Sequence, residues 1–392
     1  MFVHHNLSGI PLLGEEDPPS TTGFKEILPY RRSSSITKNW DPIRKKYHHK
    51  GVAIPISFNY QHADSEHALY FLAEEVEVPE TSAELSPTRL ITHVYKEFPD
   101  KKPADIMIFV TPGFGETSAH FETGDFYRSL ISQLRCLGYE NPHIVGINVM
   151  GAGTAPYMEN KDKLSKVKSL PEGIRDAEKI ARYVLERYQP KCGLNLVGHS
   201  MGQEIEIGIV QALTRQSLHI DRFVLVSGAT PGLVDWGNPQ TVWNIKDQLV
   251  GALKQWIQKS GCTELSMEDQ HRMMFGGQVS KGNLRFYQAF SVPDSGRAFV
   301  DLAFSRDPSL SIGGWGAALL DHPRDMPEFH FVEATGDTLL PAYRIDRQTK
   351  VLEGAGVPYN VHHIPMTHGI PTMMNHEQIQ AMWNMWGDVF KR

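Results

Sequence analysis

Gly198-His199-Ser200-Met201-Gly202 sets a serine between two glycines at the spacing G-x-S-x-G. LNLV just before it reads as a buried strand, and EIEIGIVQAL just after it reads as a helix. A sharp strand-to-helix turn holds such a serine in a strained backbone conformation, so small residues must flank it. Its hydroxyl is thereby presented above a helix N-terminus, where the dipole favours developing negative charge. That is the setting of a nucleophile. The rival reading is an ordinary glycine-rich β–α turn.

A serine nucleophile needs a base, and the base needs an orienting acid. Asp337 follows FHFVEATG, a strand-like run ending in Gly336, and His368 follows the strand-like YNVHHIP and precedes Gly369. Parallel strands bring their carboxyl ends to one edge, so loops after three such strands converge there. The candidate roles are Ser200 as nucleophile, His368 as base then acid, and Asp337 as orienter. His362 and His363, within the strand-like run, are weaker candidates for the base. Asp235, after the preceding strand, is the alternative acid. Thr111-Pro112-Gly113-Phe114-Gly115 is a loop able to turn the Phe114 N–H toward the serine. Together with the Met201 N–H it would form an oxyanion hole, the alternative being a simple Gly-Pro turn. Gly151-Ala152-Gly153 lacks the spacing of a nucleotide-binding loop.

The elements that must position these residues alternate in type. HALYFLAEEVEV (67–78) and RLITHVYKEF (89–98) read as two strands. A short continuous apolar run at 104–112 reads as a strand buried on both faces and 143–149 as the next buried strand, while 192–198, 221–231, 328–336 and 359–365 read as further strands of the same rhythm. Helical periodicity falls between and after them, at 126–138, 170–188, 201–216, 341–354 and 376–390. The alternation implies an α/β class: a mostly parallel central sheet with helices on both faces. Residues 233–325 break the rhythm and carry Trp236, Trp243, Trp256 and Trp315, with an amphipathic helix over 241–258. They read as a mainly helical insertion whose tryptophans either line an apolar pocket or build its own core. The expected division is an N-terminal extension (1–60), a core (61–232 and 326–392) and a helical cap (233–325).

Composition narrows the function classes. The 392 residues carry 39 Lys and Arg against 45 Asp and Glu, a net charge of −6, which disfavours a general nucleic-acid binder. The basic stretch within 31–50 reads as an arm over the domain, or as a patch for an anionic partner. No apolar run has the length of a transmembrane helix, and the first residues lack the basic and apolar regions of a signal peptide. Cys136, Cys192 and Cys262 are odd in number and far apart, which points to a reducing, cytoplasmic setting without a disulfide framework. No HExxH, EF-hand loop or paired His/Cys set occurs, so neither cofactor nor metal is expected.

VGHSMG (197–202), TPGFG (111–115), TGD (335–337) and THG (367–369) stand in the order found in the α/β-hydrolase superfamily, and the chain resembles its members over about residues 66–392. The insertion 233–325 takes the place of that family's cap or lid. The resemblance implies a serine esterase or lipase-like enzyme acting on a small-molecule ester with a hydrophobic acyl or alcohol part. Acyl transfer, a thioesterase step, C–C hydrolysis, or a binding protein that has kept the fold are the alternatives. Serine at 200, rather than aspartate, speaks against the chemistry of the dehalogenase and epoxide-hydrolase relatives. Pro112-Gly113 stands where the family often has His-Gly, which leaves the second oxyanion donor open. Gln203 stands where it often has a third small residue, predicting a narrower pocket beside the serine.

Overall fold

The structure is a computed structural model. It describes residues 52–57, 68–78, 90–96, 103–116, 120–121, 125–147, 169–190, 193–214, 218–228, 262–263, 266–277, 294–304, 326–339, 343–369 and 376–392, with single positions at 246, 250, 279, 284 and 287.

Among the described residues, nine strands form the central sheet. They are β1 (Val52–Ser57), β2 (Ala68–Val78), β3 (Leu90–Lys96), β4 (Ile106–Thr111), β5 (Pro142–Gly146), β6 (Leu194–His199), β7 (Ile220–Val226), β10 (Glu328–Ala334) and β11 (Tyr359–Ile364); β8 (Cys262–Thr263) and β9 (Asp294–Ser295) form a separate pair. Their spatial order is β1-β2-β3-β5-β4-β6-β7-β10-β11. The first three strands and the β3–β5 pairing are antiparallel; from β5 to β11 all pairings are parallel. The mostly parallel sheet expected from the apolar runs is therefore present. β1 lies within the stretch assigned above to an extension, yet it forms the outermost strand.

Alternation along each strand explains the two-sided core. Met107 and Phe109 of β4 face one way, into a cluster with Leu196, Phe223 and Phe331. Ile106, Ile108 and Val110 face the other way, with Ile144, Val197 and Val332. Successive side chains of a strand point to opposite faces, so a strand covered on both sides must be apolar throughout. Helices α2 (Leu170–Tyr188), α3 (Gly202–Thr214) and α6 (Tyr343–Ala355) cover the first face, and α1 (Asp125–Cys136) and α7 (His376–Phe390) the second. The entry to α2 is a capping box: the Ser169 side chain accepts from the Glu172 N–H while the Glu172 carboxylate accepts from the Ser169 N–H.

Within 233–325, β8 (Cys262–Thr263) pairs antiparallel with β9 (Asp294–Ser295), beside α4 (Met267–Phe275) and α5 (Gly296–Phe304). The helix expected over 241–258 and the four tryptophans lie outside the described residues, apart from helical positions at 246 and 250. Asp235, Gly151-Ala152-Gly153 and the basic stretch 31–50 lie outside them too. Among the described residues, no helix is long and apolar enough to cross a membrane.

Candidate active site

Ser200 sits between the end of β6 and the start of α3 with φ of +51°. The left-handed region costs a non-glycine residue on the order of 1–3 kcal/mol, so the surroundings must hold it there. They do: the Ser200 N–H donates to the Val226 carbonyl at 3.0 Å, and its own carbonyl accepts from Gln203 N–H at 3.1 Å. Close approach explains the flanking glycine. A Cβ at Gly202 would lie 2.2 Å from the Thr111 carbonyl oxygen, so only glycine lets α3 start beneath the β4 loop.

The three side chains singled out from spacing meet. His368 Nε2 is 2.9 Å from Ser200 Oγ, and His368 Nδ1 is 2.7 Å from Asp337 Oδ2. The second oxygen of Asp337 accepts the Leu339 N–H at 2.8 Å, which fixes the carboxylate plane. Pairing of the backbones after β10 and β11 supports both loops, with Gly336 N–H donating to the Met366 carbonyl at 2.8 Å. Ser200 and His368 are 7% and 1% exposed. With Nδ1 held by a carboxylate, Nε2 of a neutral imidazole is left as the acceptor facing the hydroxyl.

The alternatives for the base are engaged elsewhere. His362 Nε2 lies 3.0 Å from His330 Nδ1 in a stacked pair, and His363 pairs with Glu333 at 2.8 Å. The β4 loop reaches the serine, since a Cβ at Gly113 would come within 2.8 Å of Ser200 Cβ. Pro112 has no N–H, and that of Gly113 donates to Glu116 Oε2 at 2.9 Å. Phe114 and Met201 are both buried. Gln203 is buried, its Oε1 overlapping the place a Cβ on Gly228, just past β7, would take. The side chain thus runs toward Gly228.

Sequence reasoning missed a polar cluster behind the serine. His199 Nδ1 is 2.6 Å from Glu116 Oε2, and Tyr287, from the insertion, donates its O–H to Glu116 Oε1 at 2.5 Å. Burial alone would raise the Glu116 pKa, but the charge and hydrogen bond of His199, with His120 and Tyr287, bring it down to about 2. For His199, burial works to lower the pKa and the Glu116 carboxylate overcomes it, so the net shift is upward. The available signal was an acid one residue past the glycine-rich loop and a histidine one residue before the serine. Residues within 233–325 also contact the loops of this site. Gly369 N–H donates to the Met274 carbonyl at 2.7 Å, and the Phe299 ring packs 4.9 Å from that of Phe114. Among the described residues no group of three or more His, Cys, Asp or Glu is arranged to hold a metal ion.

No protein-family model matches the sequence, and no curated protein matches it. Solved structures do. A variant of the haloalkane dehalogenase DatA from Agrobacterium tumefaciens superposes with a TM-score of 0.53 at 12% identity, covering 82% of this chain and 97% of that one. The haloalkane dehalogenase DpaA from Paraglaciecola agarilytica gives 0.52 at 10% identity, covering 81% and 91%. An esterase from the archaeon Pyrobaculum calidifontis gives 0.45 at 13% identity, covering 81% and 84%. Identities this low speak for architecture alone. Six parallel strands behind an antiparallel edge, with a serine elbow after the third of them in sequence and that superposition, establish that the chain has the α/β-hydrolase fold.

Proposed function

We propose that the protein is a serine hydrolase of carboxylic esters, lipase- or esterase-like, working through an acyl-enzyme. The observation that carries this reading is the unbroken chain from Ser200 Oγ to His368 at 2.9 Å and on to Asp337 at 2.7 Å. Ser200 attacks the ester carbonyl as His368 takes its proton; Asp337 holds the imidazole in one tautomer and steadies the cation that forms. The amides of Phe114 and Met201 stabilise the oxyanion. Pro112 has no N–H and that of Gly113 is turned to Glu116, which favours Phe114 as the loop's donor. His368 then gives its proton to the leaving alcohol, and water releases the acyl group by the same steps.

The insertion acts as a cap over a largely apolar substrate, supported by Phe299 against Phe114 and by Met274, Phe275 and Tyr287 beside the His368 loop. Displacement of a halide by a carboxylate nucleophile does not transfer from the dehalogenase neighbours, because residue 200 is serine. The test is turnover of p-nitrophenyl esters of rising acyl length. Wild-type protein is expected to hydrolyse them, and Ser200→Ala to lose on the order of 10⁴-fold or more. Unchanged turnover in Ser200→Ala refutes the assignment. Absence of Ser200 labelling by a fluorophosphonate points instead to a binding protein with a silent triad.

A further inference from the structure

Behind Ser200 runs a second buried polar chain that takes no part in the proton transfers. Glu116 Oε2 meets His199 Nδ1 at 2.6 Å and accepts the Gly113 N–H at 2.9 Å; Oε1 accepts the Tyr287 O–H at 2.5 Å. His199 Nε2 lies 2.9 Å from the backbone carbonyl of His368. A carboxylate and a carbonyl can only accept here, so both ring nitrogens of His199 must donate, and the ring is an imidazolium. Its charge is fully buried and is compensated by Glu116. Three groups that must stay in register are thereby tied to one ion pair: the loop bearing Phe114, the elbow bearing Ser200, and the backbone of His368.

We infer that Glu116 and His199 are positioning residues for the serine hydrolase reaction, holding the His368 backbone and the 113–116 loop in place against Ser200, with Tyr287 extending the hold to the insertion. The inference rests on the reading given under Proposed function. Charge-assisted hydrogen bonds are short and directional, which suits them to fixing position. A buried ion pair adds little net stability, so its value here lies in geometry. Displacing reacting groups by about 1 Å can cost on the order of 100-fold in rate. Glu116 is faced by His199, His120 and Tyr287; His199 is faced by Glu116, by Asp337 and by the His368 carbonyl.

Glu116→Gln keeps the shape and removes the charge that holds the imidazolium. It is expected to lower kcat by about 10- to 100-fold with KM within about twofold, and to slow fluorophosphonate labelling of Ser200 by the same factor. Tyr287→Phe deletes one hydroxyl and is expected to lower kcat by about 3- to 10-fold at unchanged KM, providing the decisive readout should Glu116→Gln not fold. Thermal unfolding of each variant and active-site titration give the folded fraction. Labelling at the wild-type rate in both variants, or a loss explained wholly by fewer titratable sites, overturns the inference. If wild-type Ser200 itself is not labelled, the hydrolase reading fails instead, so the two failures are told apart.

Discussion

Asp337 offers its two carboxylate oxygens to different partners, one to His368 Nδ1 and one to the Leu339 N–H. Asp337→Asn keeps the volume but can donate to Nδ1, which reverses the tautomer and turns an N–H toward Ser200. Ester turnover is expected to fall on the order of 10⁴-fold while the melting temperature changes little; a loss of less than tenfold would remove Asp337 from its role. All three members of this chain were legible in the sequence because each follows a strand-like run and has a glycine within two positions. Glu116, His199 and Tyr287 were not, since their meaning lies in mutual contact. Glu116 and Tyr287 stand 171 positions apart, and no local pattern joins them.

Helix α3 starts beneath the β4 loop and is buried along its whole first half, so its polar side chains have no water-facing side. Gln203, Glu204 and Glu206 are all fully buried. Burial holds the Glu204 carboxyl well above its ordinary value of 4.5. A carboxyl with a raised folded-state pKa is favoured in the fold below that ordinary value, and the advantage is lost as pH rises above it. Glu204→Gln, which cannot ionise, is therefore expected to raise the urea midpoint at pH 8 and to change it little at pH 4. An equal shift at both values would contradict the desolvation argument. The helices flanking the sheet were readable from period, α2 and α7 spanning the predicted 170–188 and 376–390, whereas α4 and α5 were not. The full burial of α3 was not readable, because it depends on α2 and the β4 loop closing on it from separate parts of the chain.

At the scale of the molecule, α7 packs on α1 and completes one face of the core. Trp386 of α7 is fully buried, stacks edge-on against Phe126 of α1 at 5.3 Å and donates its indole N–H to Ser129 Oγ at 3.1 Å. Trp386→Ala is expected to destabilise by about 3–5 kcal/mol, read as a lowered denaturant midpoint. A shift under about 1 kcal/mol would mean that α7 is not integral to the core. The sequence by itself determined the alternation of strand and helix, the parallel sense of most of the sheet, and the elbow at Ser200. These follow from local periodicity and turn sterics, which a chain carries wherever it folds. Tertiary structure decided what needs contact between distant segments: the 2.9 Å approach of His368 to a serine 168 positions away, β1 at the sheet edge, and the ion pair behind the elbow. Side-chain distance and desolvation arise from packing, and packing joins residues that no spacing along the chain brings together.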